Sequence, residues 1–272
     1  MNPIGFALAM VLNGLSPVIM PNSLSEITDG VDSLIAPDGY AFSIWGLIYT
    51  LLGVFTVYSA LPSSWVPNRN DQLIYYDIGY VFFANMIING MWLLIFQTYS
   101  GVGMVLGLID IVWMLATNIY IMMVSDRTTV NVTEWIGLRG GFSIYSGWVT
   151  AATILNATFM LKFFGVEDPD NVFWGLLNEE QTTIIILYVA AFIYNLASYT
   201  EMNPLYGSVF IWVVTAIRSN IVNNKPENTA LTANTEYIAI FQALSMTVLW
   251  SYLGTTAIYG IDDGINRGIF FD

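Results

Sequence analysis

The chain has 272 residues, of which 56% are hydrophobic and only 10% are charged, so apolar segments of membrane-spanning length must occupy most of it. A formal net charge of −13, with 7 basic residues, leaves no basic surface that could hold a nucleic-acid backbone. The sequence contains neither cysteine nor histidine, which removes disulfides, thiolate nucleophiles and the commonest metal and acid–base ligand. The composition predicts an all-α polytopic membrane protein that is not an enzyme.

Eight apolar segments are predicted to cross the membrane. They lie at about residues 4–20, 40–61, 73–98, 101–124, 136–164, 181–200, 204–221 and 236–260. The first is the weakest, because it is short and contains Asn13 and Pro17. An acidic connection at residues 167–170 separates segments five and six. We therefore expect a five-helix membrane unit at 1–165 and a three-helix transmembrane extension at 166–272.

Segment two opens with an aromatic stripe. Phe42, Trp45 and Tyr49 stand at offsets 0, +3 and +7, which is one face of a helix. The stretch 37–49, Pro-Asp-Gly-Tyr-Ala-Phe-Ser-Ile-Trp-Gly-Leu-Ile-Tyr, resembles the second-helix signature of the TspO/MBR membrane proteins. It is closer to their longer relatives, the tryptophan-rich sensory proteins. In that family the loop before this helix lies over one mouth of the bundle, which makes the acidic connection 21–39 the expected lid.

Segments three to five carry comparable stripes, in which aromatic and polar side chains recur at helical spacing. The stripes are Asn85, Asn89, Trp92 and Phe96; Asp110, Trp113 and Thr117; and Tyr145, Trp148, Ala152 and Asn156. An Asn or Asp side chain facing lipid would be costly, so the stripes should face one another inside the bundle. The predicted ligand-binding residues are Phe42, Trp45, Tyr49, Asn85, Asn89, Trp92, Tyr145, Trp148 and Asn156.

Segment five strengthens the resemblance. Residues 145–156 follow the pattern Tyr-x-x-Trp-x-x-x-Ala-x-x-x-Asn, which is similar to the fifth-helix pattern of the family, and Asn85-x-x-x-Asn89-x-x-Trp92 is similar to its third-helix pattern. The family encloses a pocket for tetrapyrroles and sterol-like or drug-like ligands, lined by tryptophans that correspond to Trp45 and Trp148. The resemblance thus implies a bound lipid, sterol or porphyrin. Aromatic and Asn stripes are also ordinary means of packing helices, so this alternative stays open.

Asp110 and Arg139 are charges within or beside the spans. An ionisable group at that depth should have a partner, and adjacent antiparallel helices are able to bring these two side chains together. A structural ion pair is expected, with a proton or ion path as the alternative.

Other residues bear on packing and position in the membrane. Gly103 and Gly107 have the spacing that lets two helices approach closely, either within the chain or at a dimer face. Trp65, Trp135 and Trp174 lie near segment ends, where tryptophan commonly marks the membrane interface.

Two functions are compatible with these features. One is an accessory or structural subunit of a larger, respiratory-type membrane complex, its pocket filled by side chains or a lipid. The alternative is a free-standing receptor or transporter, alone or as a homodimer like the short relatives, that binds a tetrapyrrole, sterol or lipid. Oxidative breakdown of a porphyrin, proposed for the family, finds no acid, base, nucleophile or metal site in the sequence. The acidic composition favours the mitochondrial inner membrane over a bacterial plasma membrane.

Overall fold

The computed structural model describes residues 1–126, 134–165 and 177–259, and helices make up most of this part of the chain. They are α1 (Asn2–Ile19), α2 (Leu24–Gly30), α3 (Ile44–Ala60), α4 (Tyr80–Phe96), α5 (Gly101–Asp126), α6 (Gly141–Phe163), α7 (Glu179–Thr200), α8 (Pro204–Asn224) and α9 (Thr229–Tyr259). A 3-10 turn, Gly39–Ser43, leads into α3, and π-helical turns at Leu73–Ile78 and Trp135–Gly140 precede α4 and α6.

Seven of the helical segments in the described ranges are long and apolar enough to cross a membrane. They correspond to α1, α3, α5, α6, α7, α8 and α9, and the 17-residue α4 is a shorter apolar helix. Each of the eight predicted segments therefore coincides with a helix. The prediction of a polytopic helical bundle is confirmed, and the chain is an integral membrane protein.

Segment three is interrupted, although the sequence predicts one continuous helix over 73–98. The break lies at Gly79, whose φ of 46° falls in the left-handed region that glycine adopts without a side-chain clash. Its N–H donates to the carbonyl of Ile74 at 3.2 Å, closing a π-helical turn before α4 begins at Tyr80.

Helix α6 is the centre of the bundle. It packs against α3, α5 and α8, while α4 lies between α1 and α5 and α9 covers α7 and α8. Gly147 permits the close contact between α6 and α8, because a Cβ atom there would lie 2.9 Å from both the Tyr206 carbonyl oxygen and Val209 Cβ. The helix that carries Tyr145, Trp148 and Asn156 is thereby enclosed on several sides.

The extension packs directly on the five-helix unit, through the contact between α6 and α8. The division of the chain near residue 165 stays a prediction, and the acidic connection at 167–170 lies outside the described residues.

The glycine pair of α5 serves packing within the chain. A Cβ atom on Gly107 would lie 3.6 Å from the ring of Phe96, and one on Gly103 would collide with the Thr98 hydroxyl. Both glycines therefore face the end of α4, in agreement with the internal alternative. Of the predicted interfacial tryptophans, Trp65 and Trp135 are exposed, whereas Trp174 lies outside the described residues.

Candidate functional site

The aromatic stripes of α3 and α6 interlock. Trp45 stacks on Tyr49 with ring centroids 5.2 Å apart, and its edge-to-face contacts with Tyr145 and Trp148 span 5.8 and 6.3 Å. Phe42 contacts Trp148 in the same edge-to-face manner at 5.7 Å. Edge-to-face and offset-stacked rings are the favourable arrangements for aromatic pairs, so this cluster fixes α3 against α6.

A small cavity lies beside the cluster. Five of the predicted ligand-binding residues line it: Phe42, Trp45, Trp92, Trp148 and Asn156. Its free volume is about 40 Å³, whereas a single water needs at least about 10–15 Å³. Most of its wall is apolar, and the described residues that line it include no lysine or arginine. In this conformation the cavity is too small for a tetrapyrrole.

Trp148, one of the residues that line the cavity, has an unsatisfied indole N–H. The side chain is only 3% exposed, and Nε1 has no hydrogen-bond partner among the described residues. Leaving a buried donor unpaired costs on the order of 1–3 kcal/mol. An acceptor atom that reaches Nε1 of Trp148 would relieve that cost.

The other four predicted ligand-binding residues do not line the cavity. Asn89 joins two tyrosines, because it donates to the Tyr145 hydroxyl at 2.7 Å and accepts from the Tyr49 hydroxyl at 3.2 Å. Asn13 of α1 donates to both Tyr49, at 2.7 Å, and Asn89, at 3.0 Å. Asn85 donates to Thr117 and Asn118 of α5, at 2.7 and 2.9 Å. These side chains hold helices together, as the packing alternative expects.

Residues 21–39 cover one end of the cavity, where the resemblance places a lid. Ser23 and Glu26 form a reciprocal capping box that starts α2, a motif visible in the sequence as Ser-x-x-Glu. Thr28, Ile35 and Pro37 of this segment line the cavity. The lid is therefore part of the cavity wall.

Hydrogen bonds from the extension hold the lid in place. The backbone N–H of Asp38 donates to the Ala216 carbonyl at 3.0 Å, and Asn220 donates to the Ala36 carbonyl at 2.9 Å. Ala216, which accepts, and Asn220, which donates, both belong to α8. The extension thus positions the cavity's cover.

Charged side chains add a second set of lid contacts. Glu179 accepts from the Leu34 N–H at 2.9 Å and pairs with Lys162 at 2.5 Å. Lys225 pairs with the Asp32 carboxylate, and this hydrogen bond holds the pKa of Asp32 below its usual value. The Asp32 carboxylate of this connection therefore has Lys225 as a basic partner, whereas Lys162 pairs with Glu179 of α7 and donates to the Asp32 backbone carbonyl.

Asp110 and Arg139 do not form the predicted ion pair. Asp110 Oδ2 is buried without a hydrogen-bond partner, and no described salt bridge includes Asp110. Asp110 precedes the end of α5 by 16 residues, about 24 Å of helix, whereas Arg139 belongs to the turn that starts α6 near that end. Two side chains on neighbouring antiparallel helices meet only when both lie at the same depth in the membrane.

Several wall residues escaped the sequence analysis because they belong to the extension. Helices α7 and α8 supply apolar side chains to the cavity: Ile186, Leu187, Ala190, Phe210, Val213 and Ile217. Their spacing on each helix is the ordinary apolar periodicity of a buried face, which does not separate a cavity wall from a packed core.

These features define an integral membrane protein of helical-bundle type, with a lidded, aromatic-lined cavity between its central helices. The profile of the TSPO-like protein family matches residues 1–252, and the chain belongs to this family. The match extends on both sides of residues 20–160, where the recognisable motifs lie, and it includes most of the extension. No curated protein and no solved structure matches the chain.

Proposed function

We propose that this protein is a non-enzymatic binding protein for a slender apolar molecule with a hydrogen-bond acceptor at one end, such as a lipid acyl chain with its carbonyl group. The observation that carries this proposal is that Trp148 lines the cavity and that its buried indole N–H is unpaired among the described residues. The acceptor would meet Trp148, and the apolar part would contact the rings and the side chains of α7 and α8.

The family resemblance implies three ligand classes, and the chemistry of the cavity wall ranks them by how well they fit. A lipid carbonyl or a sterol hydroxyl offers a single acceptor, which suits a wall with one unpaired donor. A porphyrin carries carboxylates that need cations, and the described lining residues supply none. All three ligand classes would require the cavity to widen from its present volume of about 40 Å³, a slender acyl chain least and a porphyrin most.

The test uses a fluorescent fatty acid, cis-parinaric acid, titrated into the purified protein in nanodiscs. Trp148→Phe keeps an aromatic ring but removes the N–H, so the affinity should fall about two- to tenfold, as the loss of one neutral hydrogen bond predicts. Trp113→Phe is the matched control, because Trp113 lies on the outer surface of α5 and is 62% exposed.

Equal affinity of the wild type and Trp148→Phe would contradict the proposal, as would equal losses in both variants. Displacement of parinaric acid by oleic acid but not by protoporphyrin is expected. Strong displacement by protoporphyrin would favour the tetrapyrrole alternative instead.

A second candidate function is supported by the interlocked rings around Trp45 and by the small volume of the cavity. A bundle whose interior is largely filled by its own side chains suits an accessory or structural subunit of a larger membrane complex. We propose the mitochondrial inner membrane as its location, with a bacterial plasma membrane as the alternative. Native electrophoresis after mild detergent extraction, with mass spectrometry of the band, tests this function. Migration at many times the mass of the chain supports it, and migration as a monomer or homodimer contradicts it.

A further inference from the structure

Helix α5 lies at the outside of the bundle and carries an unpaired carboxyl group. Among the long helices it packs against α4 and α6, which leaves its opposite side uncovered. Leu106, Ile109 and Trp113 are exposed on that side, and they precede and follow Asp110 by one turn or less. Asp110 itself is half-buried: its Oδ2 atom is enclosed and has no hydrogen-bond partner, and part of the residue remains accessible.

Asp110 lies too deep for lipid headgroups to satisfy it. The nine residues from Gly101 to Asp110 rise about 14 Å, and the remainder of α5 rises about 24 Å. The hydrocarbon core is about 30 Å thick, so Asp110 is near its middle. Whatever pairs with this carboxylate must itself cross the membrane.

Other charges of the described chain do not serve as that partner. Four basic side chains already pair with carboxylates elsewhere: Arg69 with Asp71, Lys162 with Glu179, Arg218 with Glu236, and Lys225 with Asp32. Arg139 lies near the opposite end of α5. Among the described residues, a second copy of the chain would bring only the same four paired cations and Arg139, so charge complementarity points to a different protein.

We propose that the surface formed by Leu106, Ile109, Asp110 and Trp113, the Asp110 surface, binds a transmembrane helix of another protein that presents a lysine or arginine to Asp110. This inference rests on the accessory-subunit function proposed above and identifies the contact. The apolar residues supply packing area, and Asp110 selects a helix with a cation at the matching depth.

The experiment places the photo-crosslinking residue benzoylphenylalanine at Leu106 in the full-length protein within its native membrane. Leu244, an exposed residue of α9, is the matched control position. The expected result is an adduct from position 106, and not from 244, with a peptide whose apolar stretch contains a lysine or arginine. In an Asp110→Asn background the adduct should fall at least about tenfold, because removing one member of a buried charge pair weakens association strongly. Asp110→Glu should retain it.

Three outcomes would overturn the proposal. They are an undiminished adduct in Asp110→Asn, a cross-link to lipid or to a second copy of the chain, and a partner peptide without a basic residue in its apolar stretch. Exchanging the two charges is the confirming experiment. Asp110→Lys should lose the adduct, and changing the partner's basic residue to aspartate should restore it.

Native electrophoresis of the same variants separates this proposal from the function on which it rests. If the chain still migrates in a large complex while Asp110→Asn has no effect on the adduct, the Asp110 surface is wrong and the subunit function stands. If the wild type migrates as a monomer, both are wrong.

Discussion

Trp92 of α4 donates its indole N–H to the side-chain oxygen of Asn156 of α6, with Nε1 and Oδ1 3.2 Å apart. The amide nitrogen of Asn156 in turn donates to the Ala152 carbonyl of its own helix at 2.8 Å. Both polar groups of this pair are therefore occupied, although both residues line the cavity. Their contact shapes the wall, whereas the indole N–H of Trp148 is unpaired among the described residues.

The bond between Trp92 and Asn156 should be measurable as a coupling energy. We expect a double-mutant cycle of Trp92→Phe and Asn156→Ala to give about 0.6 kcal/mol, and at most about 1.7 kcal/mol, the range for hydrogen bonds between membrane helices. The cycle needs the free energy of unfolding of the wild type, the two single variants and the double variant, measured in mixed micelles of increasing SDS content. Additive effects of the two substitutions would mean that the bond contributes nothing to stability.

Gly147 should tolerate no side chain. Gly147→Ala places a methyl group 2.9 Å from atoms of Tyr206 and Val209, and this overpacking should reduce the free energy of unfolding by about 1–3 kcal/mol. Gly46→Ala in α3 is the control, because a Cβ atom there meets nothing within 4 Å and alanine favours helix by up to about 1 kcal/mol. Thermal unfolding of both variants in nanodiscs gives the comparison, and equal stabilities would contradict the packing described for α6 and α8.

The lid should open more often when Glu179 is removed. Glu179→Ala deletes the acceptor of the Leu34 N–H and the partner of Lys162, so amide exchange at Leu34 should accelerate about five- to tenfold. Hydrogen–deuterium exchange with mass spectrometry of the lid peptides measures this. Glu236→Ala removes a carboxylate from the exposed pair with Arg218 and should leave the lid peptides unchanged.

The pair between Asp32 and Lys225 predicts a pH dependence at the acid end. Its hydrogen bond to Lys225 lowers the pKa of Asp32 below the reference value of 3.8, so the carboxylate stabilises the folded state above that pH. The stabilisation is lost as the pH falls through the lower, folded-state pKa. The difference in Tm between the wild type and Asp32→Asn should therefore be constant from pH 5 to pH 7 and shrink below about pH 4. A difference that persists at pH 2 would exclude this ion pair as its cause.

Sequence periodicity was sufficient to locate the eight apolar segments and the facing stripes of α3, α4 and α6, because helical spacing and the cost of polar groups in lipid are local properties. The prediction was wrong for the stripe of α5, because its Trp113 lies on the outer surface and is 62% exposed. Periodicity placed Trp45, Trp92 and Trp148 together correctly. It did not distinguish the cavity wall from the polar contacts behind it, since Asn89 and Asn156 have the same type of position on their helices. Only the arrangement of neighbouring helices decides that Asn89 bonds two tyrosines.

Depth and long-range packing were the properties that the sequence did not reveal. Asp110 and Arg139 are on consecutive long helices, but the distance of each residue from its helix end separates them. The break at Gly79 depends on one backbone angle that an apolar run conceals. The contribution of α7 and α8 to the cavity has no motif, and the family match to residues 1–252 gives no residue roles there.

The short fourth helix has a consequence for the lipids around the protein. Its 17 residues rise only about 26 Å, whereas the 26 residues of the adjacent α5 rise about 39 Å. Exposed Tyr76 and Tyr80 mark the end where α4 begins. Helix α4 by itself thus offers lipid a shorter apolar length than α5 does, and local thinning of the bilayer or a tilt of the bundle would match it. A thin bilayer accommodates this difference with less strain than a thick, sterol-rich one.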